Sequence, residues 1–162
     1  MILSMEYRGC TVRNSLFNVL SKEKVQEAID YVLSIFCLES MEGTRLASNP
    51  LGHGIFGCFI PKKNSITISS LMASKSSILT QAVLVHELVH AVQKDENGCS
   101  PLFCSFGSDR SYYSSNVEAE ATAIEYLFLK SKGMEILRED ARMKFASCGI
   151  DILQVASMVK VP

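Results

Sequence analysis

Three stretches of the chain place apolar residues every three or four positions, which is the spacing of one face of an α-helix. They run from about Ser21 to Ser40, from Ser76 or Ser77 to Lys94, and from Ser115 or Asn116 to the residue before Gly133. Serine and asparagine at the starts can cap free N–H groups, and glycine favours the turn after a helix end. We therefore predict three helices. The apolar residues that define them are Val25, Ala28, Ile29, Val32, Leu33 and Phe36; Val83, Leu84, Val85, Leu88, Val89, Ala91 and Val92; and Val117, Ala121, Ile124, Leu127 and Phe128.

Shorter segments predict strands and a loop. Ile55–Ile60 and Ser65–Ser70 are rich in β-favouring residues and are separated by the turn-forming stretch Pro61–Asn64, so they predict a β-hairpin. Met1–Asn14 alternates apolar and polar residues only briefly, which suits either a first strand or an irregular arm. Glu42–Gly54 holds three glycines and an Asn-Pro pair, and we predict a loop there.

The rest of the chain predicts two further amphipathic helices. They occupy Met134–Phe145 and Ile150–Val161, on either side of Gly149. At 162 residues the chain is long enough to bury one core, so we predict a single α+β domain over residues 1–162. In this fold the hairpin at 55–70 packs on the second and third helices.

Charge and hydropathy exclude some classes of protein. The chain has 16 basic and 17 acidic residues, scattered without a basic run, so nothing predicts nucleic-acid binding. No apolar run approaches the roughly 20 residues of a transmembrane helix, and the first residues lack the pattern of a secretory signal. We predict a soluble protein. The oligomeric state is left open.

The chain contains six cysteines. A domain of this size does not need disulfides, so we predict free thiols in a reducing compartment such as the cytoplasm. Cys99 and Cys104 are close in sequence and form the first alternative, a local disulfide. A mitochondrial location and that of a secreted effector stay open.

The second predicted helix contains His86-Glu87-Leu88-Val89-His90. Residues four apart lie on the same helix face, so both imidazoles can reach one metal ion. A catalytic zinc ion takes three protein ligands and keeps a fourth position for water, and the adjacent Glu87 can accept the proton of that water. The sequence thus predicts metal ligands at His86 and His90 and a general base at Glu87. The alternative is a pair of hydrogen-bonded core histidines.

The third ligand has several candidates. Glu118, Glu120 and Glu125 lie on the third helix, where Glu118 and Glu125 share a face and Glu120 points elsewhere. Acidic residues in a first turn are also explained by a capping box and the helix dipole, so a purely structural role is the alternative. His53, between two glycines, is a further candidate ligand or hydrogen-bond donor. Thr122, one turn after Glu118, can support a ligand by a hydrogen bond.

The two motifs together resemble the gluzincin branch of zinc metallopeptidases. The resemblance rests on Val85–Ala91 and on Glu118-Ala119-Glu120-Ala121, which is similar to the downstream glutamate motif E-x-x-A of that family. It implies a zincin-like fold, Zn²⁺ as cofactor and Glu118 as the third ligand. Several gluzincins carry an aspartate four positions after that glutamate, where this chain has Thr122.

Over roughly Ile55–Leu127 the chain also resembles the small mitochondrial inner-membrane peptidases that process and assemble an ATP synthase subunit. Their H-E-L-I-H-A is similar to His86–Ala91, and their S-E-x-R-A to Val117–Ala121 with Glu120 in place of arginine. The cysteine beside their glutamate motif is absent here. The resemblance therefore carries the chemistry and leaves the biological role open.

The function predicted from the sequence is zinc-dependent hydrolysis of peptide bonds, with a protein or peptide as substrate. Arg110, Tyr112 and Tyr113 lie just upstream of the third helix, where a phenol or guanidinium can stabilise the oxyanion of the tetrahedral intermediate. The alternative is a catalytically silent zincin-like binding module or a toxin or effector partner. Glu87 argues against it, because a binding module has no use for a base there.

Overall fold

A computed structural model describes residues 4–97, 116–134 and 139–161. These residues form an α+β fold with a five-stranded mixed sheet and five α-helices, as the sequence predicts at the level of fold class. The strands are β1 (Ser4–Tyr7), β2 (Cys10–Arg13), β3 (Arg45–Asn49), β4 (Gly57–Ile60) and β5 (Ser65–Ser69); the helices are α1 (Lys22–Ile35), α2 (Ser77–Asn97), α3 (Asn116–Ser131), α4 (Glu139–Ser147) and α5 (Ile152–Met158).

The sheet has the strand order β1-β2-β3-β5-β4. β1 and β2 form an antiparallel hairpin, so of the two possibilities left open for Met1–Asn14 the structure shows a strand rather than an irregular arm. β4 and β5 form the predicted second hairpin, joined by a 3-10 turn at Pro61–Lys63. β2, β3 and β5 run parallel. In the described residues, β4 pairs only with β5 and thus forms one edge of the sheet.

The prediction of a loop over Glu42–Gly54 is wrong for its middle. Arg45–Asn49 is β3, the central strand, paired with β2 on one side and β5 on the other. Leu46 and Ser48 point into the core and are buried. The segment has no β-branched residue and a single large aliphatic one, so its strand conformation comes from pairing on both sides rather than from local propensity.

The first helix is shorter than the sequence predicted. Ser21 caps α1 as expected, since its side chain accepts a hydrogen bond from Lys24 N–H. The helix ends at Ile35 rather than near Ser40, because Cys37 takes a left-handed conformation with φ of 55°. Its buried face consists of the predicted residues Val25, Ala28, Ile29, Val32 and Leu33.

α2 crosses the middle of the molecule. It contacts α1, β4, β5 and α3, and the apolar side chains that flank its histidines are buried, Leu84, Val85, Leu88 and Val89 completely. The Ser76 carbonyl accepts the hydrogen bond of Thr80 N–H, which places Ser76 at the start of the helix as predicted. A helix packed on so many sides holds its polar residues in fixed positions.

α3 packs along α2 and ends as the sequence predicts. Gly133 has φ of 78°, and the N–H groups of Gly133 and Met134 bond to the carbonyls of Lys130 and Leu129. α5 lies within the stretch predicted for it, whereas α4 begins five residues later than predicted and ends two residues beyond Phe145, at Ser147. A second core cluster joins them to the outer face of α3, through Ala119, Ala123, Phe145, Ile152 and Ala156.

The structure bears on two expectations, the absence of a membrane-spanning helix and the presence of free thiols. No helix in the described ranges is both long enough and apolar enough to cross a membrane. Cys10 and Cys37 are free thiols. Cys58 on β4 is disulfide-bonded, so the expectation of free thiols is wrong at this position. The predicted Cys99–Cys104 pairing lies outside the described residues.

Candidate metal centre

Two imidazoles on α2 meet at one point. His86 and His90 are one helical turn apart, and their Nε2 atoms are 3.2 Å from each other. Both residues are buried, His90 almost completely at 1% exposure. The i, i+4 spacing in the sequence therefore leads to the convergence that it predicts.

A carboxylate from α3 reaches the same point. Glu118 lies in the first turn of α3, with Oε2 3.2 Å from His86 Nε2 and Oε1 2.9 Å from His90 Nε2. His86, His90 and Glu118 form a group that can hold a metal ion, with one ligand atom from each residue and all three within 4.8 Å of one another. Glu118 is thus the carboxylate that the structure brings between the two histidines.

The distances within this group suit a small tetrahedral ion. Two atoms bound at about 2.05 Å to a tetrahedral centre lie about 3.3 Å apart. The two imidazole nitrogens are 3.2 Å apart, which is close to that value, and each has one of the two Glu118 oxygens at 2.9 to 3.2 Å. In addition, Glu118 Oε1 is buried without a directed hydrogen bond from the described residues. A cation between the three side chains would satisfy this oxygen.

The electrostatics of the group favour a positive charge at the same place. Burial alone would lower the pKa of His86, but the carboxylates of Glu118 and Glu125 outweigh it and raise that pKa well above its ordinary value of 6.5. Burial alone would raise the pKa of Glu118, but the adjacent imidazoles of His86 and His90 hold it far below its ordinary range.

Glu87 lies beside the histidines and under the sheet edge. It is 7% exposed, and its Oε2 has no hydrogen bond from the described residues. Burial raises its pKa, opposed by the charges of His86 and His90. The backbone of β4 passes close above it, because a Cβ atom on Gly57 would lie 3.1 Å from Glu87 Cγ. The carboxylate is held in place while one of its oxygens stays available.

The outer nitrogen of each histidine also meets a polar side chain. His86 Nδ1 lies 3.1 Å from Glu125 Oε1, and His90 Nδ1 lies 2.8 Å from Gln93 Oε1. The contact of His90 is a hydrogen bond of the kind that metal-binding histidines characteristically make with their second nitrogen. His86 Nδ1 has the close Glu125 oxygen but no hydrogen bond from the described residues. The supporting hydrogen bond predicted for Thr122 stays a prediction.

Two of these roles differ from what the sequence suggested. Glu125 was a candidate ligand and instead contacts the far side of His86. Glu120 points away from the group, as predicted from helix geometry, and accepts a hydrogen bond from Gln93. Gln93 itself was missed. Its signal was present, since a polar residue three positions after His90 lies on the same face of an otherwise apolar helix.

Comparison of the chain with protein-family models, with curated proteins and with solved structures finds no match. The geometry of the side chains therefore carries the argument about function. His53, the third histidine, lies on an exposed loop and is not part of the metal-binding group. Arg110, Tyr112 and Tyr113 lie outside the described residues, so their predicted oxyanion role stays a prediction.

Proposed function

We propose that the protein is a zinc-dependent metallopeptidase of the gluzincin type, with His86, His90 and Glu118 as ligands and Glu87 as general base. The observation that carries this proposal is the convergence of two imidazoles and one carboxylate on one point, with a buried glutamate adjacent to it. Two histidines and a carboxylate form a donor set used by catalytic zinc sites, which keep a fourth position open.

The reaction divides between the ion and the protein. Zinc held at this position supplies Lewis-acid chemistry that polarises the scissile carbonyl and acidifies the attacking water. Glu87 accepts the proton of that water and passes it to the leaving amine. Its burial supports this role, because burial raises the pKa of the carboxyl group and makes the carboxylate a better proton acceptor.

The resemblance of the two motifs to the gluzincin metallopeptidases supports a peptide as the substrate. β4 passes above Glu87 at Gly57, whose missing side chain lets the backbone come close to the carboxylate.

The alternative is a catalytically silent zincin-like module that binds a partner. It would keep the metal group for structure and would not need Glu87. The buried Glu87 carboxylate, with an oxygen that has no hydrogen bond from the described residues, is costly to maintain without a function. This observation favours the enzyme.

The test compares wild type with Glu87→Gln and with Glu42→Gln, a control at an exposed glutamate. Zinc content is measured by elemental analysis and hydrolysis with a mixture-based peptide library. We expect about one zinc per chain in all three proteins. Activity should fall by about 10²- to 10⁴-fold in Glu87→Gln alone, because the amide keeps the shape but cannot accept a proton.

Two results would contradict the proposal in different ways. Equal turnover in wild type and Glu87→Gln would place the base elsewhere. Zinc binding by wild type without hydrolysis of any library member would favour the silent module.

A further inference from the structure

The side chain of Gln93 connects the ligand His90 to the two residues Val117 and Glu120, which lie on either side of the ligand Glu118. It is 1% exposed and lies on α2, three residues after His90. We infer that Gln93 is a positioning residue of the metal centre: it fixes His90 with its Nε2 toward the ion and holds the first turn of α3 that carries Glu118. This inference rests on the metal site of the proposed function, not on hydrolysis.

The amide of Gln93 can be oriented in only one way. Its nitrogen lies 2.9 Å from the carbonyl oxygen of Val117 and 3.0 Å from Glu120 Oε1. Both neighbours are oxygen atoms that accept hydrogen bonds, so the NH₂ end of the amide must face them. The carbonyl end, Oε1, then faces His90.

This orientation decides which nitrogen of His90 carries a proton. Gln93 Oε1 is 2.8 Å from His90 Nδ1 and can only accept, so Nδ1 must donate. A metal ligand nitrogen needs its lone pair free, and with the proton on Nδ1 this nitrogen is Nε2. His90 Nε2 is the atom that lies between His86 and Glu118.

The same amide also sets the position of the third ligand. Its two acceptors, Val117 and Glu120, flank Glu118 on either side in the first turns of α3. Gln93 therefore fixes the start of α3 against α2 at the height where Glu118 must reach the histidines. A change at this one residue should disturb both the His90 and the Glu118 side of the centre.

The chain offers a matched control in Gln81, also on α2. Its Nε2 donates to the Lys24 carbonyl at 3.0 Å and to Glu27 Oε1 at 2.9 Å, so it makes the same two kinds of bond, but to α1. Gln81 is completely buried and is not part of the metal group. Replacing either glutamine by leucine removes one buried amide from the same helix.

The experiment measures the Zn²⁺ affinity of purified wild type, Gln93→Leu and Gln81→Leu by competition with a chromophoric chelator. We expect Gln93→Leu to bind Zn²⁺ about 10- to 100-fold more weakly, the usual cost of losing a residue that orients a ligand. Gln81→Leu should bind like wild type. Equal affinities in Gln93→Leu and wild type, or an equal loss in both variants, would overturn the inference.

A second measurement reports on His90 directly. In zinc-loaded wild type labelled with ¹⁵N-histidine, NMR should show His90 bound through Nε2 and a hydrogen-bonded proton on Nδ1. This proton should exchange faster with water in Gln93→Leu and not in Gln81→Leu. Binding through Nδ1 in wild type would overturn the inference even if Gln93→Leu does not fold.

The outcomes separate this inference from the proposed function. Wild type that binds zinc in this way but cleaves no peptide would leave the role of Gln93 intact and refute the peptidase. An active enzyme whose zinc affinity does not depend on Gln93 would refute the role of Gln93 and leave the proposed peptidase intact. Wild type that binds no zinc would refute both.

Discussion

The two faces of α2 each bury a glutamine, and the two glutamines have different roles. Toward α1, Gln81 donates to a backbone carbonyl and a glutamate; toward α3, Gln93 does the same. The difference lies in the other end of each amide. Gln81 Oε1 has no hydrogen bond from the described residues, whereas Gln93 Oε1 meets His90. Burial of polar groups alone thus does not mark a site, and their convergence on a shared point does.

The largest effect should come from removing the histidines on the α3 face. In the double variant His86→Ala, His90→Ala, zinc content should fall from about one per chain to near zero, since one carboxylate cannot hold the ion alone. Elemental analysis after dialysis measures this, and circular dichroism checks the fold. His53→Ala, at the exposed third histidine, is the control. Unchanged zinc content in the double variant would refute the site.

The titratable side chains on the side of α2 that faces α3 should also make the stability of the metal-free protein depend on pH. The pKa of His86 is raised above 6.5, so the stability it contributes is present below pH 6.5 and is lost as pH rises through the folded-state value. The raised pKa of Glu87 acts in the same direction. On the α1 face, a hydrogen bond from Lys132 lowers the pKa of Glu27 from 4.5, and its contribution changes only in acid.

We therefore expect the free energy of unfolding, measured with urea in the presence of a chelator, to be lower at about pH 8.5 than at about pH 5.5. The free energy of unfolding should change with pH by at most about 1.4 kcal/mol per pH unit for each proton released. The Gln81→Leu variant should show the same pH dependence of the free energy of unfolding. Zinc binding should show the opposite trend and strengthen with pH, because the ligand nitrogens must be deprotonated. A metal-free protein that becomes more stable toward pH 8.5 would contradict the assigned cluster.

A third substitution tests the contact between α2 and the sheet. In Gly57→Ala the new Cβ would lie 2.8 Å from Val83 Cγ1 and 3.1 Å from Glu87 Cγ. We expect a loss of about 1–3 kcal/mol in stability from overpacking, together with reduced turnover as Glu87 is displaced. Gly52→Ala is the control, because among the described residues its Cβ would meet the end of the Ile55 side chain alone, at 3.3 Å. Full activity in Gly57→Ala would show that Glu87 tolerates the shift.

The smallest effect should come from replacing Gln81, on the side of α2 that faces α1. Gln81→Leu should cost about 1 kcal/mol, the net value of a buried hydrogen bond, because Lys24 and Glu27 lose a donor. Urea unfolding of the zinc-free protein measures this cost, and activity should be unchanged. Reduced turnover in Gln81→Leu would mean that the two faces of α2 are coupled.

The parts of the fold with a strong local pattern were predictable from the sequence. α1, α2 and α3 carry long apolar stripes with caps, and the β4–β5 hairpin has its turn residues between two β-rich runs. β3 was not predictable, because Arg45–Asn49 has little strand propensity and depends on neighbours from distant parts of the chain. Tertiary pairing overrides local preference there.

The candidate site also has a part that the local sequence predicts and a part that depends on tertiary packing. His86, Glu87 and His90 share one helix, so their spacing alone predicts their geometry. Glu118 lies on another helix, and the residues left it as one of three carboxylates until the family resemblance singled it out. The contacts of Glu125 and Gln93 with the outer histidine nitrogens depend on how α3 lies against α2, which no local pattern encodes.

The position of β3 has a consequence for how the protein reaches its folded state. Thr11 pairs with Arg45 and Leu46 with Ile66, so the centre of the sheet closes only when segments far apart in sequence have met. Such non-local pairing slows folding, whereas a helix such as α2 forms through local contacts. We expect pulsed hydrogen exchange during refolding to protect the amides of α2 before those of β3. Simultaneous protection would instead indicate that the helix gains its structure only as the central strand closes the sheet.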